Sequence, residues 1–394
     1  MDFNDTPEQA KFRIKCREWL EANAELKENK SSVQGDSSLD DHLKVAKAWQ
    51  QKKYEAGWAM LHWPKEYGGI EASPIERIIW GQEEAKFNVP GGIFEIGLGM
   101  CGPVMMQYAS AEQKDRYLAP MAEGKEIWCQ LFSEPAAGSD VAGLRSKAEK
   151  DGDDWILNGS KHFISGPVMP DFAIVFAATG EDQTPRGPRK RVTAFLVDVG
   201  LKGFECREGN KCVSYRGYKN FQLSFDNVRL GPNQILGEEG RGLELSGKWL
   251  GMGRIWVGAT CCGKAERIMN LAIDWAANRK QFGKPIGSFQ ATGFKLADMS
   301  IGLRAADLMV NDAVSRAEKG AMQDADAAMV KVFCSEMLNK VADDTVQIYG
   351  GMGLMEELPI QRLWRDSRLE RIWDGTSEIQ RHIITRAILR PLGA

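Results

Sequence analysis

The sequence predicts an α+β, mostly α-helical fold in which a β domain lies between two helical domains. Three observations indicate this fold. Apolar residues recur at helical spacing towards both ends, short β-branched and aromatic runs fill the middle, and those runs leave no room for crossover helices. The 394 residues suffice for two to three domains at roughly 100–200 residues each. We expect an N-terminal helical domain over 1–122, an antiparallel β-sandwich or barrel over 123–235, and a C-terminal four-helix bundle over 236–394.

The N-terminal domain is predicted to begin with a capped helix. Thr6 is a preferred N-cap residue, Pro7 suits the first helical position, and Gln9 can complete a capping box. Four residues then share one face at helical spacing: Phe12, Cys16, Trp19 and Leu20. The segment "WPKEYGG" predicts a loop, and "PIERIIWGQEEAKF" and "GPVMMQYASAEQKDRYLAPM" predict further helices.

The middle domain is predicted from five short runs, which read "EIWCQLF", "WILNGSKHFISG", "FAIVFAA", "VTAFLVDV" and "FQLSFDNVRL". In the last run Phe221, Leu223 and Phe225 alternate with polar residues, which is the period of a half-buried strand. The pair Asp151-Gly152 is typical of a tight turn between antiparallel strands.

The C-terminal domain follows "LGEEGRG", where helical periodicity returns. Ile268, Leu271 and Trp275 share one helix face. A second stripe consists of Met329, Phe333, Met337 and Val341. Both stripes are predicted to pack in the core.

Composition and charge argue against several classes of function. The net charge of -3 offers no general attraction to nucleic acid or anionic lipid, and the basic segment "RGPRKR" (186–191) predicts a solvated loop. No apolar run reaches the roughly 20 residues that span a bilayer. The start "MDFNDTPEQA" lacks the pattern of a signal or transit peptide. We therefore expect no nucleic-acid partner and no membrane span.

Cysteine and histidine usage predicts a reducing compartment and no metal site. The eight cysteines include no C-x-x-C pair, and the adjacent Cys261 and Cys262 have poor geometry for a disulfide. Buried thiols in the cytoplasm are the expected state. The four histidines are scattered without the spacing of metal ligands.

The common nucleotide-binding motifs do not account for this sequence. "GGMGLM" (350–355) offers G-x-G without a third glycine in place, and it follows a predicted helix rather than a strand, so a Rossmann site fails on context. No Walker loop, H-E-x-x-H or G-x-S-x-G occurs. A nucleotide site here requires a different construction.

Three segments carry residues that suit a cofactor, each with a plainer alternative. "FSEPAAGSD" (132–140) offers N–H groups and hydroxyls for a heterocycle or phosphate, but a plain turn has the same composition. In "KHFISG", Phe163 and Ser165 share one strand face, which suits a cofactor's edge, although Phe163 alone also suits the core. In "NRKQFGKPIGSFQ", Arg279 either donates paired hydrogen bonds to phosphate oxygens or stays solvated.

Taken together, the ordered motifs of this chain resemble the acyl-CoA dehydrogenase family. The seven motifs are "WPKEYGG", "FSEPAAGSD", "KHFISG", "LGEEGRG", "RKQFGKPI", "QIYGGMG" and "RIWDGTSEIQR". Each is short, but all occur in order at the family's spacing, from about residue 5 to 392. The resemblance implies one FAD per subunit, an acyl-CoA substrate, electron-transfer flavoprotein as redox partner, and a homotetramer built as a dimer of dimers.

The resemblance also implies the residues that hold FAD. Those that match positions along the flavin and its phosphates are Gln130, Phe132, Ser133, Ser139, Phe163 and Ser165. Ser133 stands where threonine is common, and Phe163 and Ser165 stand where the family has Trp and Thr. Arg279 and Phe282 are implied to reach the FAD of a neighbouring subunit. Matches at the adenosine end are Gln347, Gly350 and Gly351, and the last flavin contacts are Thr376 and Glu378.

Asp374 occupies the family's catalytic-base position, where glutamate is usual. The resemblance implies that Asp374 abstracts the α-proton of the thioester while the β-hydrogen leaves as hydride to FAD, giving a trans-2-enoyl-CoA. The Asp374 N–H and a flavin ribityl hydroxyl would hold the thioester oxygen. Dehydration beside Trp373 would raise the pKa of Asp374. Arg254, Ser139 and Gly375 match positions in the substrate region.

Two observations leave the role of Asp374 open. Aspartate is one methylene shorter than glutamate, roughly 1.5 Å, and a misplacement of about 1 Å can cost on the order of 100-fold in rate. "DGTSEIQ" also resembles a helix start that Asp374 or Thr376 caps. The second base position used by some family members is Gly253 here, so no replacement base stands there.

Three functions are compatible with this pattern. An acyl-CoA dehydrogenase is the leading hypothesis. A flavin oxidase or desulfinase-like enzyme is the second, because nitroalkane-oxidising members of the wider superfamily use an aspartate base. A non-catalytic acyl-CoA or flavin-binding relative is the third, because the base is substituted.

The sequence favours a short, branched or cyclic acyl group. Bulky residues that would narrow the expected pocket are Phe94, Met100, Trp249 and Trp256, and glycines that would leave room are Gly97, Gly99 and Gly251. Glu95 would repel an acidic acyl tail if it pointed inward, and is uninformative if solvated.

Overall fold

The computed structural model describes residues 5–26, 39–90, 92–166, 168–185, 187–215 and 218–392. The predicted fold class is confirmed, with an N-terminal helical part, a middle curled sheet and a C-terminal helical part. The chain divides into two compact units, Met1–Lys211 with Gly217–Trp249, and Cys212–Arg216 with Leu250–Ala394. The three domain boundaries expected from the sequence stay a prediction.

The described part of the first unit opens with five α-helices. They are α1 (Pro7–Asn23), α2 (Leu39–Glu55), α3 (Pro74–Glu84), α4 (Gly102–Tyr108) and α5 (Ala111–Ala122). The predicted capping box is confirmed, since Thr6 Oγ1 accepts the Gln9 N–H at 3.3 Å and Gln9 Oε1 accepts the Thr6 N–H at 2.8 Å. The predicted face of α1 supplies the buried Cys16 and Leu20, which pack with tryptophans of the same unit.

The segment predicted as helical from Gly102 is split by Ser110. Ser110 Oγ accepts the Gln113 N–H at 3.2 Å and so caps α5 as a new helix. The N-cap residue ends one helix and begins the next, because its extended backbone cannot continue α4.

The sheet of the first unit has eight strands. They are β1 (Trp128–Leu131), β2 (Lys147–Asp151), β3 (Asp154–Gly166), β4 (Phe172–Thr184), β5 (Gly187–Asp198), β6 (Phe204–Glu208), β7 (Lys219–Leu230) and β8 (Ile235–Leu236). Their order is β6-β7-β3-β2-β4-β5-β8, with β1 also paired to β4. Most pairs are antiparallel as predicted, but β1 and β2 each pair with β4 in parallel. The β2–β3 hairpin turns at Gly152, as the Asp151-Gly152 pair predicts.

The basic segment of residues 187–191 is strand rather than the predicted loop; Arg186 lies outside the described residues. This part of β5 pairs with β4, where Lys190 faces Glu181 and Arg189 faces Asp182. Arg191 also forms an ion pair with Asp182 at 2.7 Å. Opposite charges across the two strands favour pairing over a free loop.

The second unit is helical, apart from the short hairpin of β9 (Lys280–Gln281) and β10 (Lys284–Pro285). Its helices are α6 (Gly242–Asn278), which begins in the first unit, α7 (Gln290–Glu318), α8 (Asp324–Tyr349), α9 (Pro359–Leu369) and α10 (Ser377–Leu389). Helix α8 packs against α7, α9 and α10, and Gly258 lets α6 approach Val330. Met337 and Val341 are buried as predicted, whereas Met329 and Phe333 are exposed, so the predicted core stripe is only half buried.

Candidate active site

Asp374 lies in the loop that joins α9 to α10. Its backbone is left-handed, with φ 52°, and Gly375 follows with φ 89°, so the chain reverses sharply here. The cap of α10 is Thr376, whose hydroxyl accepts the Ile379 N–H at 3.3 Å. The Asp374 carboxylate is therefore not the helix cap that the sequence left possible.

The electrostatic surroundings of Asp374 favour its protonated form overall. Burial raises the pKa of Asp374 above its usual value, and the charge of Glu370 adds to this rise. Lys331 and Arg254 oppose it with positive charge. A carboxylate with a raised pKa is a stronger base than an exposed aspartate.

The backbone on either side of the Asp374–Gly375 peptide bond is fixed by hydrogen bonds from buried side chains. Lys331 on α8 is fully buried, and its Nζ donates to the Gly375 carbonyl at 2.8 Å. Gln380 Nε2 donates to the carbonyls of Asp374 and Gly375, each at 3.0 Å. Burial lowers the pKa of Lys331 to about 8, although Asp374 acts to raise it. The loop that carries Asp374 is thus held from two helices.

A second buried cluster centres on Glu370, which is fully buried. Its Oε1 accepts Lys264 Nζ at 2.6 Å and also accepts the Tyr215 hydroxyl, while its Oε2 accepts Trp373 Nε1 at 2.8 Å. The Tyr215 and Trp373 rings lie 5.2 Å apart. Burial and the neighbouring Glu370 raise the pKa of Tyr215 above its usual range.

Arg254 on α6 is buried, and two carboxylates, Asp324 and Asp374, act on its charge. Burial lowers the pKa of Arg254, while Asp324 and Asp374 act to raise it. Its Nε finds no hydrogen-bond partner among the described residues. A buried donor without a partner is costly, so Arg254 offers a donor that a ligand can satisfy.

The candidate flavin residues of the first unit come from two strands. Gln130 lies in β1, the loop after β1 carries Phe132, Ser133 and Ser139, and β3 carries Phe163 and Ser165. The His162 N–H donates to the Ser133 carbonyl at 2.9 Å, which joins the loop to β3. Ser139 is exposed. The structure therefore brings the two predicted segments together within this unit.

Three of these side chains suit a flat polar ligand. Phe163 is 62% exposed at a left-handed position with φ 57°, so its ring is not the core residue that the sequence left possible. The Ser165 hydroxyl donates to Asn220 Oδ1 at 2.8 Å and keeps lone pairs for a donor. Gln130 Oε1 is buried without a hydrogen-bond partner in the described residues.

An ion pair that the sequence did not predict lies beneath this loop. Lys161 Nζ is 2.9 Å from Glu134 Oε1, and both residues are buried. Glu134 also accepts the backbone N–H groups of Arg145 at 2.5 Å and Ser146 at 3.1 Å. Burial acts to raise the pKa of Glu134, but Lys161 and these N–H groups hold it below its usual value.

Three of the residues predicted for the adenosine and pyrophosphate line one pocket. Arg279, Gly350 and Gly351 surround a cavity of about 490 Å³. Trp275 and Tyr349 form a stacked pair in its wall, with ring centroids 4.4 Å apart. Phe282 is 90% exposed at φ 50°, outside this wall. Two further predicted residues, Gln347 and Glu378, are also exposed.

The described part of the chain contains neither a cluster of metal ligands nor a helix that could span a membrane. No group of three His, Cys, Asp or Glu side chains there is placed to hold a metal ion. Among the same residues, every helix is too short or too polar to cross a bilayer.

Comparison with known proteins identifies the family. Three family models match in order: the acyl-CoA dehydrogenase N-terminal domain over residues 6–125, the middle domain over 129–228 and the C-terminal domain over 240–389. The chain belongs to the acyl-CoA dehydrogenase family. The family is FAD-dependent, and this member is an oxidoreductase that acts on acyl-CoA.

Relatives of this acyl-CoA dehydrogenase family member cover nearly its whole length. A 3-(aryl)acrylate reductase of Clostridium sporogenes is 33% identical over 89% of this chain and 93% of its own. A short-chain specific acyl-CoA dehydrogenase of Clostridium acetobutylicum is 30% identical over 99% and 100%. A structure reported for the electron-transferring flavoprotein of Acidaminococcus fermentans is 31% identical, with a TM-score of 0.83 over 99% of this chain and 100% of that one.

Several residues of the site lie beyond what the sequence predicted. Glu370, Lys331, Lys264 and Tyr215 were not identified as candidates. One signal was available at Lys331, a single lysine in the apolar helical run "AAMVKVFC". The other three become neighbours only through the tertiary fold.

Proposed function

We propose that this enzyme desaturates an acyl-CoA thioester to a trans-2-enoyl-CoA, with Asp374 as the base that takes the α-proton. The observation that carries the proposal is the partly buried Asp374 carboxylate on a loop held by hydrogen bonds, where burial raises its pKa. Proton abstraction moves the α-proton to an Asp374 carboxylate oxygen. The negative charge that develops on the thioester oxygen needs donors, and the Asp374 N–H has no backbone acceptor among the described residues.

The residues of the first unit fit FAD by their own chemistry. Phe163 presents an exposed ring for stacking, and the buried Gln130 Oε1 needs a donor of the kind that a flavin ring N–H provides. Bound FAD supplies the acceptor for the hydride that leaves the β-carbon. Ser133 and Ser165 offer hydroxyls at the loop and strand that face such a ring. We propose that Gly350 and Gly351 hold the adenosine end of FAD, and that Arg279, which lines the same pocket, reaches the FAD of a neighbouring subunit.

The glycines of the expected substrate region leave unequal space. Gly99 has nothing near its missing side chain, whereas Gly97 is packed against Met121 and so leaves no space there. Glu95 Oε1 accepts the Gly92 N–H at 2.6 Å and is turned back onto its own segment. Glu95 therefore gives no support to repulsion of acidic tails. The side chain of Trp249 lies outside the described residues. We propose a short, branched or cyclic acyl chain.

The proposal predicts that acyl-CoA bleaches the flavin of the purified holoenzyme. In anaerobic solution, stoichiometric additions of straight short-chain, branched and cyclic acyl-CoA thioesters should lower the flavin absorbance, fastest for the preferred chain. Product analysis should show trans-2-enoyl-CoA. If no thioester bleaches the flavin, the chain is a non-catalytic relative and the proposal is wrong.

We further propose electron-transfer flavoprotein as the electron acceptor. The likeness to the structure reported for such a flavoprotein system supports this partner. With substrate present, electron-transfer flavoprotein should reoxidise the enzyme far faster than air does. Rapid peroxide formation without that partner would instead favour the oxidase or desulfinase-like alternative.

A homotetramer in the cytoplasm is proposed for the same enzyme. Exposed apolar side chains on the second unit suit contacts between copies, and they include Phe282, Phe294, Ile301, Met329 and Phe333. The eight cysteines are unpaired thiols, as expected for a reducing compartment. Light scattering of the purified enzyme should give four times the chain mass.

A further inference from the structure

Two buried side chains of opposite charge bracket the Asp374 loop. Lys331 holds the residue after Asp374 through the Gly375 carbonyl, at 2.8 Å. Glu370 holds the residue before it through Trp373 Nε1, also at 2.8 Å. Both side chains are fully buried, although a charged side chain is almost never fully buried unless it is paired. The mechanism above uses neither as a proton acceptor.

We propose that Lys331 and Glu370 are positioning residues, which fix the chain on either side of Asp374 by hydrogen bonds and place opposite charges beside it. This inference rests on the proposed role of Asp374 as the base. It also explains how aspartate, with its shorter side chain, can act as the base. A shorter side chain cannot adjust its reach, so its backbone must be held rigidly in position.

Lys331 acts from α8. Its ammonium group favours the ionised form of Asp374, and its hydrogen bond fixes the sharp turn at Gly375. A lysine buried in an apolar helix face costs free energy unless it is paired or bonded. The Gly375 carbonyl supplies one such bond, so the position of the loop and the burial of the charge depend on each other.

Glu370 acts from the end of α9 and is itself supported. Lys264 on α6 and the Tyr215 hydroxyl both bind its Oε1, which leaves Oε2 for Trp373. The negative charge of Glu370 favours the protonated form of Asp374. Trp373 is thereby anchored directly before the base, and its ring is flanked by Tyr215 at 5.2 Å.

One further described charge acts on Asp374. Arg254 on α6 favours its ionised form, and Asp324 partly offsets Arg254. Arg254 lies in the expected substrate region, so substrate binding changes its effect. Lys331 and Glu370 are buried beneath the loop and keep their effect with or without substrate.

Infrared titration of protein labelled with ¹³C-aspartate tests the inference without turnover. The Asp374 band is identified by its loss in Asp374→Asn. In Lys331→Met the positive charge is gone, so the midpoint should move to higher pH, by roughly one unit. In Glu370→Gln, which keeps the shape and the acceptor for Trp373, the midpoint should move to lower pH by a similar amount.

In both variants the acidic limb of the pH profile of kcat/KM should shift in the same direction as the Asp374 midpoint. In both, kcat should fall by a larger factor than KM rises. Asp344→Asn is the matched control. Asp344 lies on α8 like Lys331, pairs with Lys295 on α7 and Lys340 on α8, and is not among the charges that act on Asp374. It should leave the Asp374 midpoint unchanged.

The inference would be overturned if the Asp374 midpoint shifted in the same direction in Lys331→Met and Glu370→Gln, or if it shifted in neither variant. If Lys331→Met does not fold, the downward shift in Glu370→Gln alone decides. Failure of the proposed function is a separate result, since wild-type enzyme that never bleaches with acyl-CoA can still be titrated at Asp374.

Discussion

Replacing Asp374 by asparagine should lower kcat/KM for acyl-CoA by about 10²–10⁴-fold, the usual contribution of a general base. Asparagine has nearly the same size but cannot accept the α-proton. The Thr376 cap and the hydrogen bonds from Lys331 and Gln380 use other atoms of the loop, so the fold should persist. Steady-state kinetics with an artificial electron acceptor, together with anaerobic flavin bleaching, measure the effect.

Asp343→Asn provides the control for this loss. Asp343 is an exposed aspartate on α8 of the same unit. This variant should bind FAD and turn over as the wild type does. An Asp374→Asn enzyme that keeps more than about a tenth of wild-type kcat/KM would show that another group takes the proton.

Replacing Lys161 by methionine should destabilise the enzyme by about 3–5 kcal/mol, the usual cost of breaking a buried ion pair. The change leaves Glu134 as a buried carboxylate without its cation, and removes the bonds from Lys161 Nζ to the carbonyls of Phe132 and Phe176. Because Glu134 organises the loop that bears Ser133, flavin should also be lost more easily. Urea unfolding and the flavin-to-protein absorbance ratio after gel filtration measure the two effects.

Lys147→Met is the matched control for Lys161→Met. Lys147 is an exposed lysine of the same sheet, and such surface changes usually stay within about 0.5 kcal/mol. Adding Glu134→Gln to Lys161→Met should recover part of the lost stability, because the unpaired charge is removed. Equal stabilities of Lys161→Met and Lys147→Met would contradict the importance of this pair.

Much of the fold follows from local sequence signals. The Thr6 capping box, the Asp151-Gly152 turn and the alternation from Phe221 to Phe225 each depend on residues close in the chain, and each is confirmed. Strand β2 gave no signal, because Ala148 is its single buried residue and its other residues are charged. Its pairing with β3 and β4 decides its structure.

Candidate site residues could be predicted from the sequence where they lie in short local motifs. Asp374 and Phe163 stand in short motifs and could be proposed as site residues from them. Asp374 lies in a partly buried loop among charged side chains, and Phe163 is exposed near the end of β3. The support around them was not found. Tyr215 and Lys264 lie 155 and 106 residues from Glu370 in sequence, and no local pattern joins them.

The most direct test of the central claim is hydrogen exchange at the α-carbon of the substrate. Holoenzyme in D₂O is incubated with a bound acyl-CoA, and mass spectrometry follows deuterium at the α-position. The wild type should catalyse exchange, and Asp374→Asn should abolish it while still binding the thioester. Exchange that continues unchanged in Asp374→Asn would contradict the assignment of Asp374 as the base.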